Sequence, residues 1–170
     1  MRVILFRHAP AEARDPERWP DDDERPLTAR GVQRARRAAR GIAKLERGIT
    51  RVLSSPAARA RATADVLAAV LGGDLAVEEH ASLAPGGSWR ETLKRLAHES
   101  PESVVVLVGH EPDLGHLAGV LLFGAPTALP LKKAGAGSLE LDRPTPGGGH
   151  LRWWLPPRAL SAFARRRRAS

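Results

Sequence analysis

The strongest strand signal in the chain is Val104-Val105-Val106-Leu107-Val108, entered from Ser103. A run without polar alternation is a strand covered on both faces, and therefore a central one. Val3-Ile4-Leu5-Phe6 repeats the pattern and runs straight into Arg7-His8-Ala9-Pro10. Arg51-Val52-Leu53 reads as a short strand, and Leu75-Ala76-Val77 as another. Ser138-Leu139-Glu140-Leu141-Asp142 alternates, as a half-buried strand does. Leu151-Arg152-Trp153-Trp154-Leu155 fits beside it as a hairpin or edge pair, across a turn from Pro144 to Gly149.

Helical spacing fills the intervals. Thr28 reads as an N-cap for a helix with Val32, Ala35, Ala39, Ile42 and Leu45 inward, ended by Gly48. Ser55 reads as N-cap and Pro56 as first helical residue of a segment running through Thr63, Val66, Leu67, Val70 and Leu71 to Gly72-Gly73. Ser88 and Glu91 form a capping box for a helix to about Glu99, with Leu93, Leu96 and Ala97 inward. Pro112 opens a helix with Leu114, Leu117, Ala118, Leu121 and Leu122 on one face, and Gly124 lies just past its end. A short helix after Pro157 is expected to finish in Arg165 to Arg168. Residues 9–27 form a long polar loop holding Asp21-Asp22-Asp23-Glu24, and residues 125–137 are irregular. Strands alternating with helices predict an α/β fold, with a mostly parallel central sheet and helices on both faces. No linker or internal repeat divides the chain, so residues 1–170 are expected to form a single domain.

Composition narrows the function classes. With 42% hydrophobic and 27% charged residues over 170 positions, the chain is neither disordered nor membrane-embedded. The apolar part of Met1 to Phe6 is too short for a signal peptide. Cysteine is absent, which excludes disulfides and thiolate metal sites and fits a reducing cytoplasm. The net charge of +8 suits phosphate-bearing partners, whether nucleic acid, phosphoprotein or small ester. The chain is Ala-rich and Lys-poor, so most surface arginines are read as codon preference. Arg30, Arg34, Arg36, Arg37 and Arg40, and the terminal arginine run, are taken as solvated rather than as a nucleic-acid face.

Three strand ends carry matching chemistry. Parallel strands bring their carboxyl ends to one edge of a sheet, where ligands bind in open α/β folds. The first strand delivers Arg7 and His8, the next delivers Arg59 through the helix that follows, and the central strand delivers Gly109 and His110. Two arginines and two histidines on one edge make an anion pocket with a candidate nucleophile. A metal site fits poorly. No HxH or HExxH pattern exists, and His110 and His116 diverge on a helix. A hydrolytic serine also fits poorly, because no GxSxG is present and Ser54 and Ser55 read as turn and cap. His80, His98, His116 and His150 are read as surface or structural.

Arg7-His8-Ala9 resembles the RHG signature of the histidine phosphatase (phosphoglycerate mutase-like) superfamily. Three further motifs resemble its short SixA-like phosphohistidine phosphatase branch. Arg25-Pro26-Leu27-Thr28-Ala29-Arg30-Gly31 is similar to RPLTxxG, Ser55 to Thr63 to SPxxRAxxT, and Val108 to Leu114 to VGHxPDL. The resemblance implies a phosphoglycerate mutase-like three-layer sandwich. It implies His8 as nucleophile, Arg7 and Arg59 as holders of the phosphoryl oxygens, and His110 as completing the pocket. No metal or cofactor is implied. The implied partner is a phosphorylated protein, such as a histidine-phosphotransfer domain. Two departures stand out. Ala9 replaces the usual Gly, and Ser82 occupies the place where many members carry an acidic proton donor, with Glu79 three residues earlier. Glu111 and Asp113 are reserve donors. The missing acid disfavours ordinary esters, whose alkoxide needs a proton, and favours phosphohistidine. The alternatives are the same mechanism on small phosphate esters or polyphosphate, and a non-catalytic module binding phosphate or nucleic acid.

Overall fold

A computed structural model describes residues 1–72 and 75–165 of the chain. Gly73 and the arginines at 166–168 lie outside the described residues, so the expectations for them are not addressed by it.

Six strands form one sheet: β1 (Arg2–Arg7), β2 (Arg51–Ser54), β3 (Val77–Glu79), β4 (Val104–Gly109), β5 (Ala136–Leu141) and β6 (Gly149–Leu155). Their spatial order is β3-β2-β4-β1-β5-β6. The first four are parallel, while β5 runs antiparallel to β1 and β6 antiparallel to β5. The all-apolar β4 is flanked by β2 and β1, and every residue of it is buried. The helices are α1 (Ala29–Leu45), α2 (Ala58–Leu71), α3 (Trp89–Leu96), α4 (Asp113–Phe123) and α5 (Pro157–Arg165).

Strand alternation splits the core in two. Ile4 and Phe6 of β1, with Val104, Val106 and Val108 of β4, pack against α1, α2 and α5 through Ile42, Leu67 and Leu160. Val3 and Leu5, with Val105 and Leu107, face α3 and α4 through Leu96, Leu114 and Leu121. These are the two helical layers that the strand–helix alternation predicts. On α1 the buried row is Ala35, Ala38, Ala39 and Ile42. Arg30, Arg36, Arg37 and Arg40 are exposed on its outer side and Arg34 is partly so, as expected for a solvated face. Gly41 lets α5 lie directly on α1, since a Cβ there would sit 2.2 Å from the Leu160 carbonyl oxygen.

Several boundaries differ from the sequence reading, α1 also ending at Leu45 ahead of Gly48 and β6 beginning at Gly149 ahead of Leu151. α2 begins at Ala58 rather than at Pro56, because Ser55 Oγ accepts from the Ala57 N–H at 3.2 Å and so shapes a turn ahead of the helix. β3 lies two residues later than expected, where only the edge of β2 is available for pairing. α3 ends at Leu96, and the chain to Glu99 tightens into i→i−3 bonds from His98 and Glu99. β5 starts at Ala136, drawn into register by pairing with Phe6.

Candidate active site

Arg7, His8 and His110 emerge from β1 and β4 side by side, since Arg7 and Gly109 are register partners. The His8 N–H donates to the Gly109 carbonyl at 3.0 Å, which fixes the turn after β1 to the end of β4. The His8 and His110 ring centroids are 5.1 Å apart. His8 and His110 are buried, and Arg59, in the first turn of α2, is only 3% exposed.

The local sequence explains why the chain stops there. Ala9 is fully buried in the core layer beneath α1 and α2, so the methyl group that departs from the RHG pattern is packed rather than strained. The Ala9 N–H donates to Thr63 Oγ1 at 3.1 Å, and Thr63 Oγ1 donates to the Arg59 carbonyl at 2.7 Å. The threonine of the SPxxRAxxT stretch thus ties the helix carrying Arg59 to the turn carrying His8. The RPLTxxG stretch has a comparable task. Thr28 caps α1 by accepting from the Gly31 N–H at 2.9 Å, and its own N–H donates to the Pro10 carbonyl at 3.1 Å. A Cβ on Gly31 would lie 1.9 Å from that same carbonyl oxygen, so only glycine admits the approach.

Hydrogen bonds set the state of each histidine. His8 Nδ1 lies 2.7 Å from the Ala9 carbonyl oxygen. A carbonyl only accepts, so Nδ1 carries the proton in the neutral ring and Nε2 keeps its lone pair. Burial, with further contributions from Arg59, Arg7 and Lys133, pushes the His8 pKa down to about 4. The Ala9 bond opposes this but does not outweigh it. His110 Nε2 lies 2.8 Å from Ser55 Oγ. Burial, then His8, Arg59 and Arg7, lower its pKa to about 3. Both rings are therefore neutral at pH 7.

The two guanidinium groups are only partly satisfied. Arg7 Nη1 donates to the Leu131 carbonyl at 2.7 Å, and Arg59 Nη1 to the Asp22 carbonyl at 2.6 Å. Arg59 Nη2 also approaches Asp22 Oδ2 at 3.3 Å and Asp23 Oδ1 at 3.6 Å. Arg7 Nε and Arg59 Nε are buried without a hydrogen-bond partner. The acidic loop 21–24 thus reaches the site. Asp22 is itself held by Arg25 Nε at 2.9 Å, and that bond chiefly keeps its carboxyl below the usual range.

The other carboxylates stand as follows. Glu79 pairs with Arg61 at 2.9 Å and is half exposed. Ser82 Oγ is shared between His80 Nδ1 at 2.7 Å and Thr92 Oγ1 at 2.8 Å. Asp113 accepts from the Gly86 N–H at 2.9 Å. Glu111 accepts from the Leu131 N–H at 3.0 Å, and burial raises its pKa. Of the remaining histidines, His150 is exposed near Asp142, at 3.8 Å. Among the described residues no group of three or more His, Asp or Glu side chains is placed to hold a metal ion.

Sequence reasoning missed three contributors. Ser55 orients His110 instead of capping α2. Thr63 joins α2 to the His8 turn. Lys133, in a stretch read only as irregular, acts on His8.

Residues 3–113 match the family model for the histidine phosphatase superfamily (branch 1). The chain belongs to that superfamily and is a phosphatase of its SixA-like kind. It is 28% identical to the protein histidine phosphatase SixA, solved in complex with tungstate, with a TM-score of 0.81 over 94% of this chain and 99% of that one. It is 25% identical to a candidate SixA phosphohistidine phosphatase from Agrobacterium tumefaciens, with a TM-score of 0.73 over 92% of this chain and 97% of that one. An uncharacterized protein of Picosynechococcus sp. (strain PCC 7002) is 40% identical over 139 residues, covering 79% of this chain and 82% of that protein. No helix among the described residues is long and apolar enough to cross a membrane.

Proposed function

We propose that the protein removes phosphoryl groups through a covalent phosphohistidine on His8, and that its substrate is phosphohistidine in a cytoplasmic signalling protein, such as a histidine-phosphotransfer domain. The observation that carries this reading is the tautomer of His8. The Ala9 carbonyl holds the proton on Nδ1, and burial among cations keeps the ring neutral, so Nε2 is free to attack. In the first step Nε2 forms a bond to phosphorus and the bond from phosphorus to the substrate nitrogen breaks. A phosphohistidine ring protonated on its second nitrogen departs as neutral imidazole and needs no acid from the enzyme. In the second step water attacks phosphorus, the bond to Nε2 breaks, and inorganic phosphate leaves. Arg7 and Arg59 neutralise the charge spread over the phosphoryl oxygens, which is the main requirement of phosphoryl transfer. Their unpartnered Nε–H groups support this role, because a buried donor left unpaired costs about 1–3 kcal/mol that an oxyanion would offset. His110, held by Ser55, completes the pocket.

The placement of Glu79 and of the residues around Ser82 supports the nitrogen leaving group. Glu79 is committed to Arg61, and a serine–threonine–histidine network fills the place of the usual acid. Turnover of a panel holding a phosphohistidine peptide, sugar phosphates and polyphosphate tests the reading. Preference for the phosphohistidine peptide is expected, with loss of all turnover in His8→Ala. Strong preference for sugar phosphates would overturn the substrate, and full activity of His8→Ala would overturn the mechanism.

A further inference from the structure

We propose that Lys133 is a third substrate-contacting cation of this site, one that binds the phosphoryl group of the arriving substrate alongside Arg7 and Arg59. The inference rests on the reading of the site as a phosphoryl pocket, and it begins with the segment that carries the lysine. Residues 131–135 are fastened to the end of β1 by their backbone. The Leu131 carbonyl accepts from Arg7 Nη1 and the Leu131 N–H donates to Glu111. The Ala134 N–H is shared between the carbonyls of Arg7 and His8, at 3.2 Å each, and the Arg7 N–H donates to the Gly135 carbonyl at 3.1 Å. Ala134 has φ = 60°, the left-handed region that residues with a Cβ rarely adopt. That conformation is held by the bonds on either side of it. Strain of this kind persists where the surroundings over-determine it, and functional sites are where it collects.

The residue presented by this strained turn is exposed, and its ammonium makes no salt bridge or hydrogen bond with another described residue. The groups that act on it electrostatically are Arg7, Arg25 and Arg59, all of the same sign. Their repulsion adds to its partial burial in lowering its pKa. A lysine serving only the fold would be drawn to a carboxylate. This one is carried by a segment whose next residue bonds the carbonyls of Arg7 and His8, and the charges acting on it are those of three arginines. Arg7 and Arg59 each keep a buried Nε–H without a partner, and cations gathered in this way are stabilised when an anion arrives. The segment is secured through its main chain, so the lysine side chain is not what holds it.

The test compares Lys133→Gln and Lys133→Arg with the wild type, as full chains. Against a phosphohistidine peptide, Lys133→Gln is expected to raise KM about tenfold, the order of one charge-assisted hydrogen bond. kcat should fall by no more than about threefold, and Lys133→Arg should recover most of the loss. Calorimetric titration with inorganic phosphate should show a parallel weakening. The groups facing His8 are Arg7, Arg59, Lys133 and His110. Removing one of these cations should therefore move the acidic limb of kcat/KM upward in Lys133→Gln. Wild-type KM and wild-type phosphate affinity in Lys133→Gln would overturn the proposal. A wild-type protein that releases phosphate from no substrate would overturn the functional reading instead. The phosphate titration would still decide the role of Lys133.

Discussion

Strand β1 has an arginine at each end. At its amino end Arg2 Nη1 donates to Glu46 Oε2 at 2.6 Å. Glu46 is 1% exposed, and its other oxygen accepts from Ser138 Oγ and Trp153 Nε1, both at 2.8 Å, with Arg152 at 3.5 Å. A buried carboxylate is there surrounded by donors, and the result ties α1, β1, β5 and β6 together. At the carboxyl end Arg7 stands with Arg59 and Lys133 around two neutral histidines, the Asp22 and Asp23 carboxylates reach Arg59 Nη2, and two buried guanidinium Nε–H groups are unpaired. One end of the strand satisfies its buried carboxylate fully, and the other leaves buried cationic donors unpaired. Satisfied charge holds a fold together, and unpaired cationic donors select an anionic ligand.

The sharpest break of this comparison is at the amino end. Glu46→Ala removes the shared acceptor of four groups and is expected to destabilise the protein by about 3 kcal/mol, measured by urea unfolding. The activity of the molecules that remain folded should be retained. At the carboxyl end Arg59→Ala should show the reverse. We expect kcat/KM to fall by about 100- to 1000-fold, as for loss of one preorganised charge donor, with stability unchanged or slightly increased. A comparable loss of stability in both variants would erase the distinction between the two ends.

The histidines make a third prediction. Both have folded-state pKa values below the unfolded value of about 6.5. Between about pH 6.5 and 4 the unfolded chain binds protons that the folded one does not, and for His110 this continues to about pH 3. Stability is therefore full above about 6.5 and falls with acidification, by up to about 1.4 kcal/mol per pH unit for each histidine. His8→Asn should flatten that slope, measured by urea unfolding across the range. The smallest effect is at Ser55. Ser55→Ala frees the His110 ring and should lower kcat/KM about tenfold, with little change in KM.

Much of this organisation was legible in the sequence, for reasons that differ between regions. The apolar runs at 3–6 and 104–108 are satisfied only where both faces of the sheet are covered, and the parallel pairing of β1 with β4 sets their carboxyl ends on one edge. The same pattern brings Arg7, His8, Arg59 and His110 to that edge. Ser55 was misread because a serine before proline is a good cap by local rules. The hydroxyl bonds to His110, 55 residues away in sequence, and local spacing carries no trace of that. Lys133 lay hidden for a related reason. Its placement comes from backbone bonds to Arg7 and His8, and the strained φ of Ala134 has no signature in an alanine. The acidic loop was conspicuous by composition, but its contact with Arg59 depends on how Arg25 folds Asp22 back.

The central claim is that His8 Nε2 takes the phosphoryl group. Mixing the protein with excess phosphohistidine peptide, quenching in alkali and mapping the modified peptide by mass spectrometry tests it directly, with phosphorus NMR to identify the nitrogen. The account predicts a transient phosphoryl group on His8, bonded through Nε2, that is absent from His8→Ala. Phosphate release with no label at His8, or label at His110 instead, would contradict it.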